Sequence, residues 1–401
     1  MLNLVEINQR YSANHVAPYP LTISHGKGVY VFDSYEKSYL DFASGISVVN
    51  FGHQHPRLLK ALISQANKIA IVPRLFYNEP LTLFLEKACH LFQMDKALPM
   101  NSGAEAAEAA IKIARKWGYT VKNIPQNQAE IIVCQDSFHG RTITTLSTSS
   151  TSKYKDNFGP FTPGFKLIPF NDIKVLEQTI TPNTAAFLVE PIQGEAGVII
   201  PHEGYLEACE KVCRKHNVLF ILDEIQSGMG RTGKILASHY GKVHPDGILL
   251  GKALGGGFLP ISVFLANDHV MNVLHPGEHG STFGGNPLAS FVAYEALNTL
   301  VEEELPQNAM KMGHYFLEQL KQIKTPAICA IRGKGLFIAI EINPEVIPSR
   351  TIFEKLIQNG LLSIDTRSKV IRLLPPLILN KHHIDEAVDI VQQTFNNLDL
   401  C

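Results

Sequence analysis

Gly247-Ile-Leu-Leu-Gly-Lys252-Ala-Leu-Gly-Gly-Gly257 is a short apolar run that follows Pro245-Asp246 and closes on a lysine. Upstream, Val218-Leu-Phe-Ile-Leu-Asp223 is a second apolar run, and it closes on a carboxylate. Ile131-Ile-Val-Cys, Ala186-Phe-Leu-Val and Ile261-Ser-Val-Phe-Leu have the same length and character. Helical periodicity separates them, as in Ala104-Glu-Ala-Ala-Glu-Ala-Ala-Ile-Lys-Ile-Ala-Arg-Lys and Tyr205 to His216. Buried strands alternating with helices predict an α/β fold with a mainly parallel sheet covered on both faces. A long helix is predicted over Leu288 to Leu305 and another over His383 to Phe395. With the Gly335-Leu-Phe-Ile-Ala-Ile-Glu-Ile run, they predict a smaller α+β domain. The expected division is an N-terminal segment 1–45, a large domain 46–290 and a C-terminal small domain 291–401.

Composition narrows the class. The 401 residues suffice for a large core and two domains, and 45% are apolar. A formal net charge of -1 gives no general attraction to nucleic acid. No segment approaches the ~18 consecutive apolar residues of a membrane span. Met1 to Arg10 lacks a secretory signal pattern. Six cysteines in a chain this long fit reduced thiols, with Cys209 and Cys213 on one buried helix face, so a cytoplasmic location is expected.

In open α/β sheets, ligands sit beyond the carboxyl ends of the strands, where polar residues gather here. Glu190-Pro-Ile-Gln-Gly-Glu195 follows one run, Asp223-Glu-Ile-Gln226 another, and Lys252 a third. A solvated strand end explains any one of them; several independent runs closing this way point to a site. An aspartate and a lysine at strand ends suit pyridoxal phosphate, whose ring nitrogen pairs with the carboxylate while the lysine forms a Schiff base. Ser102-Gly103-Ala104 opens a helix, where an N-cap and free amides can hold a phosphate. In Phe138-His139-Gly140-Arg141, the phenylalanine suits stacking on a flat ring and the arginine suits a carboxylate. Arg372 stands in an apolar setting and needs an anion, either Glu195 or a substrate carboxylate. Gly228-Met-Gly-Arg-Thr-Gly233-Lys234 approximates a nucleotide-binding P-loop, but Ile235 replaces the magnesium-binding hydroxyl. His53 and His55 show no carboxylate or cysteine companions that would make a metal site, and none is expected.

Asn101-Ser-Gly-Ala-Glu-Ala, Phe138-His-Gly-Arg-Thr, Glu190-Pro-Ile-Gln-Gly-Glu, Asp223-Glu-Ile-Gln, Gly251-Lys-Ala and His279-Gly-Ser-Thr-Phe-Gly-Gly-Asn-Pro-Leu stand in one order. In that order the chain resembles the class III aminotransferases of pyridoxal phosphate fold type I, nearly from end to end. The resemblance implies a large central domain and a smaller α+β domain assembled from both termini. It implies that Lys252 carries the cofactor and shuttles the proton, and that Asp223 protonates the ring nitrogen. Gln226 would bond the phenolic oxygen and Phe138 would stack on the ring. His139 and Glu190 fall within the implied cofactor site, and Ser102, Gly103 and Ala104 would cradle the phosphate. Ser281 and Thr282 match a segment the family supplies from a neighbouring subunit, which implies a homodimer with shared sites.

Leu98-Pro-Met-Asn, Ala114-Arg-Lys-Trp-Gly-Tyr and Phe158-Gly-Pro-Phe-Thr-Pro-Gly-Phe are most similar to the branch that moves the δ-amino group of ornithine to 2-oxoglutarate. That branch implies Arg141, Glu195, Arg372 and Tyr77 as substrate-binding residues. It usually carries a tyrosine where this chain has Ile46. Asp41-Phe-Ala-Ser-Gly-Ile and Ile371-Arg-Leu-Leu-Pro-Pro resemble the N-acetylornithine branch instead, and an apolar Ile46 also suits 4-aminobutyrate. A binding protein that had lost catalysis would lack Lys252, Asp223 or Arg141; all three are present.

Overall fold

A computed structural model describes residues 4–398. Its centre is a seven-stranded sheet. The order across it is Lys96–Met100, Ser262–Ala266, Gly247–Leu250, Leu219–Asp223, Thr184–Val189, Glu130–Cys134, Phe165–Ile168. The last five pair in parallel, while Ser262–Ala266 runs antiparallel to both of its neighbours. The mainly parallel, fold type I architecture is therefore present. All strands but one deliver their carboxyl ends to the same edge, and Ser262 starts the reversed strand there, opposite Met100.

The strands read as unbroken apolar runs because both faces are covered. On one face lies the helix Gly103–Thr120, whose Ala106, Ala110, Ile113 and Ala114 pack against Val133, Leu188, Ile221 and Leu249. Its alanines bring the helix close to the sheet without crowding. On the other face lies Tyr205–Lys215, which buries Cys209, Val212 and Cys213 against Phe187 and Phe220. Each large side chain so buried contributes about 1.5–3 kcal/mol.

The C-terminal part carries an antiparallel sheet ordered Ile328–Lys334, Phe337–Ile342, Val370–Leu373, Ile364–Thr366. Near the other terminus, Ile23–Lys27, Tyr30–Asp33 and Ser38–Asp41 form a meander, and Leu361 adds in parallel beside Leu40. Backbone pairing thus ties the two ends of the chain together. Two expectations need correction. The helix predicted from Leu288 to Leu305 ends at Glu302; Glu304 turns left-handed (φ 51°) and a second helix, Leu305–Leu320, begins with a proline in its first turn. Proline is favoured there and cannot continue the preceding helix. The edge strands Lys96–Met100 and Phe165–Ile168 were not anticipated.

Candidate active site

The carboxyl ends of four neighbouring strands meet in one charged cluster. Asp223 closes its strand and is buried. One of its carboxylate oxygens lies 2.7 Å from His139 Nδ1, and the other accepts from the Ile225 amide at 3.1 Å. Burial alone would lower the His139 pKa, but the bond to Asp223 and the charges of Asp223 and Glu190 raise it.

Glu190 is buried beside this pair. Its two oxygens accept from the amides of Phe138 (2.9 Å) and Gly194 (3.1 Å). Burial pushes its carboxyl up to about 7; Asp223 adds to the shift, while His139 and the two amides oppose it. Between pH 4.5 and 7 the folded protein keeps a proton on Glu190 that the unfolded chain has lost. This residue's contribution to stability therefore falls as pH rises through that window. Glu190→Gln, uncharged throughout, should flatten that slope. Urea midpoints at pH 5 and pH 7 check it, with the variant comparing more favourably with wild type at pH 7.

Lys252 follows the strand Gly247–Leu250 with a left-handed backbone (φ 47°), an uncommon conformation for a residue with a side chain. Burial lowers its pKa to about 8, against the attraction of Glu195, Glu190 and Asp223 and with the repulsion of Arg372. Arg372 is wholly buried, and its Nη1 lies 2.8 Å from Glu195 Oε1. Burial would raise the Glu195 carboxyl, yet Arg372, Lys252 and Arg141 hold it below its usual value. The anion that Arg372 required is Glu195. Arg141 lies 3.6 Å above the centre of the Tyr154 ring and 5.3 Å from that of Phe138, a cation–π arrangement that leaves it exposed. Tyr154 was missed in the sequence, where nothing marks a tyrosine 13 residues downstream as a partner of Arg141.

At the next strand end, Ser102 caps Gly103–Thr120. Its Oγ accepts from the Glu105 amide (3.2 Å), and Glu105 Oε2 accepts from the amides of Asn101 and Ser102 (2.8 Å each). The amides of Gly103 and Ala104, the first two of the helix, have no intrahelical acceptor and suit an anion. Gly140 (φ +136°) lets the Phe138–Arg141 loop press against Ala104, where a Cβ would come within 2.7 Å. Gln226 is buried with its side-chain nitrogen unpartnered. An aspartate for a ring nitrogen, an unpaired amide donor, a lysine and free helix amides together fit pyridoxal phosphate.

Other candidates stand further out. Ile46 is 43% exposed and occupies a turn in which Ser44, Gly45, Ile46 and Ser47 all have positive φ (47°, 58°, 65° and 63°). Asp41 holds that turn, accepting from the amides of Ala43 and Ser44, while its other oxygen meets His53 Nε2 at 2.7 Å. A β-branched residue at φ +65° is an outlier that a site can exploit. Each histidine has one carboxylate companion, Asp41 for His53 and Glu303 for His55 (3.1 Å). Ser281 Oγ accepts from Asn101 Nδ2 at 2.9 Å, beside the phosphate-type cradle of its own chain. Thr282 and Tyr77 are exposed. The P-loop-like segment is followed by a short 3-10 turn, Ala237–Tyr240, and its Arg231 is buried among carbonyls.

The family model for class-III aminotransferases matches residues 11–395. The chain belongs to the class-III aminotransferases. Among curated members of this family, the ornithine aminotransferase of Brevibacillus brevis is 49% identical over 393 residues, covering 98% of each chain. The crystal structure of an ornithine aminotransferase from Toxoplasma gondii superposes with a TM-score of 0.96 at 44% identity, covering 98% of this chain and 94% of that one. An acetylornithine aminotransferase from Elizabethkingia anophelis is also 44% identical, with a TM-score of 0.90 and 98% of each chain covered. Among the described residues, no helix of this class-III aminotransferase is long and apolar enough to cross a membrane.

Proposed function

We propose that this enzyme transfers the δ-amino group of L-ornithine to 2-oxoglutarate, giving glutamate 5-semialdehyde and glutamate, with pyridoxal phosphate as cofactor. The buried Glu195–Arg372 ion pair carries the reading. An enzyme for this exchange must accept a dicarboxylate in one half-reaction and a terminal amine in the other. With Glu195 on Arg372, one arginine is neutralised and Arg141 is the cation left for ornithine's α-carboxylate. That orientation presents the δ-amine to the reacting centre. When Glu195 moves off, Arg372 takes the α-carboxylate of glutamate or 2-oxoglutarate and Arg141 the distal one. The planar guanidinium suits both tasks.

Bound pyridoxal phosphate supplies the electron sink for the bond that breaks. Asp223, fixed by His139 and the Ile225 amide, would pair with the protonated ring nitrogen. Gln226, with its unpartnered side-chain nitrogen, would donate to the phenolic oxygen, Phe138 would cover the ring, and Ser102 with the Gly103 and Ala104 amides would hold the phosphate. With a pKa lowered to about 8, Lys252 is deprotonated in a useful fraction near neutral pH. Its Nζ would accept the proton from ornithine's δ-carbon and pass it to the cofactor side rather than back to the same carbon, so that the amino group is left behind.

The working unit is a homodimer with shared sites, in the cytoplasm. Leu75, Phe76 and Tyr77 are 91%, 63% and 103% exposed, and Ile71 and Phe283 are exposed as well. These exposed apolar side chains support the dimer reading. Thr282 and Tyr77 would there complete the partner's site. N-acetylornithine is the second reading, favoured by the apolar Ile46 at its strained turn. The test is kcat/KM for ornithine against N-acetylornithine on cofactor-loaded enzyme with saturating 2-oxoglutarate. Preference for ornithine is expected; preference for the acetylated donor would move the assignment to the second reading. Ile46→Tyr should raise the ornithine to N-acetylornithine ratio, and an unchanged ratio would remove this position from specificity.

A further inference from the structure

Arg367 lies in the turn between strands Ile364–Thr366 and Val370–Leu373, followed by Ser368. Both residues are left-handed (φ 55° and 54°), although neither is glycine. Such a conformation persists only where its surroundings hold it. Here the arginine side chain is held on two sides. Its Nη1 lies 3.0 Å from Asp136 Oδ1 and its Nη2 donates to the Asp136 carbonyl at 3.4 Å. Its Nε donates to the Glu195 carbonyl at 3.3 Å, and Thr366 Oγ1 donates to the same oxygen at 3.1 Å.

These contacts join the two loops that select substrate. Asp136 opens the loop carrying Phe138, His139 and Arg141, and Ser150 Oγ further holds its amide at 2.8 Å. Glu195 is the residue whose side chain meets Arg372. We infer that Arg367 is a positioning residue for substrate selection: its guanidinium pins the Glu195 main chain and registers it against the Arg141 loop. The Glu195 side chain can then swing alone, between Arg372 and solvent, about a fixed pivot. The inference rests on the Glu195–Arg372 exchange proposed above.

Loosening that pivot penalises the two half-reactions unequally. The ornithine half needs Glu195 held on Arg372; otherwise Arg372 is free to take ornithine's carboxylate in the wrong orientation. The glutamate half needs the pair open, and loses little. Arg367→Ala should lower the single-turnover kcat/KM for ornithine about tenfold, and that for glutamate by less than about threefold, a difference read directly in transition-state binding. Arg367→Lys should resemble Arg367→Ala, because an ammonium can satisfy Asp136 but cannot span both loops as a fork does. Asp136→Asn should shift the ratio in the same direction, and the double variant should add nothing to Arg367→Ala.

Both half-reactions are followed spectroscopically on cofactor-loaded enzyme, with Arg350→Ala, which breaks a surface pair with Glu354 and a stack on Phe353, as the control. Equal losses for both donors, or an unchanged ratio, would overturn the inference. Glu195→Ala, measured in parallel, separates the two levels. If it removes the ornithine preference while Arg367→Ala does not, the exchange stands and the role of Arg367 fails. If Glu195→Ala itself leaves the ratio unchanged, both fail together.

Discussion

Lys252→Ala is expected to reduce amino transfer from ornithine by at least about 10³-fold, within the range by which positioned acid–base groups accelerate proton transfer. The expectation rests on where the backbone puts the lysine. The parallel strand Gly247–Leu250 ends on Gly251, and the left-handed backbone at Lys252 turns the chain sharply into the 3-10 turn Lys252–Gly255. The amine therefore faces Glu195, Arg372, Glu190 and Asp223. No second lysine ends a neighbouring strand of this sheet. The Asp223–His139 pair and the helix amides do not depend on Lys252, so the variant should still bind pyridoxal phosphate, though without covalent attachment. Rapid mixing with ornithine would follow the half-reaction by absorbance. Small primary amines added to the buffer should restore part of the rate, since they can enter the vacated volume and accept the proton. Retention of more than a tenth of wild-type kcat would remove Lys252 from the chemistry.

The strand-end logic that picked out Lys252 also picked out Asp223 and Glu190, because a parallel sheet makes apolar runs that stop abruptly at the functional edge. Edge strands lack that signature. Lys96–Met100 carries a proline next to its last residue and Phe165–Ile168 a lysine, and both are only half covered. Arg372 was legible as a cation in an apolar run, and Glu195 was the available anion. His139 was legible as part of a motif, but its bond to Asp223 spans 84 positions and has no local pattern. The same holds for Arg367 and Asp136, 231 positions apart. Left-handed backbone at Ile46 and Arg367 was hidden for another reason: neither residue type favours it, so the surrounding fold imposes it. Local chemistry reveals which groups a site contains; the contacts that hold them in register are tertiary.

Arg231→Ala should destabilise the folded protein by about 3–5 kcal/mol, the range for removing one member of a buried polar arrangement. Arg231 is fully buried and has no carboxylate partner among the described residues. Its Nη1 donates to the carbonyls of Leu336 (3.0 Å) and Pro375 (2.6 Å), and its Nη2 to Asn50 Oδ1. Burial pulls its pKa down to about 9, so holding the charge in this place is costly. Removing the guanidinium relieves that cost, which argues against a large loss. Two effects outweigh it. Three buried acceptors would be left without donors, each costing about 1–3 kcal/mol. A cavity the size of a long side chain would also open where the loop Gly228–Gly233 meets Leu336 and Pro375. Arg231→Lys should fall between, since one ammonium keeps a charge but cannot match the geometry of the fork. The consequence reaches the active site through Pro375, three residues beyond Arg372, so the variant should also bind 2-oxoglutarate less tightly. Urea unfolding of the cofactor-loaded protein measures the first effect and KM for 2-oxoglutarate the second. A loss under about 1 kcal/mol would mean that relief of the buried charge offsets the orphaned acceptors.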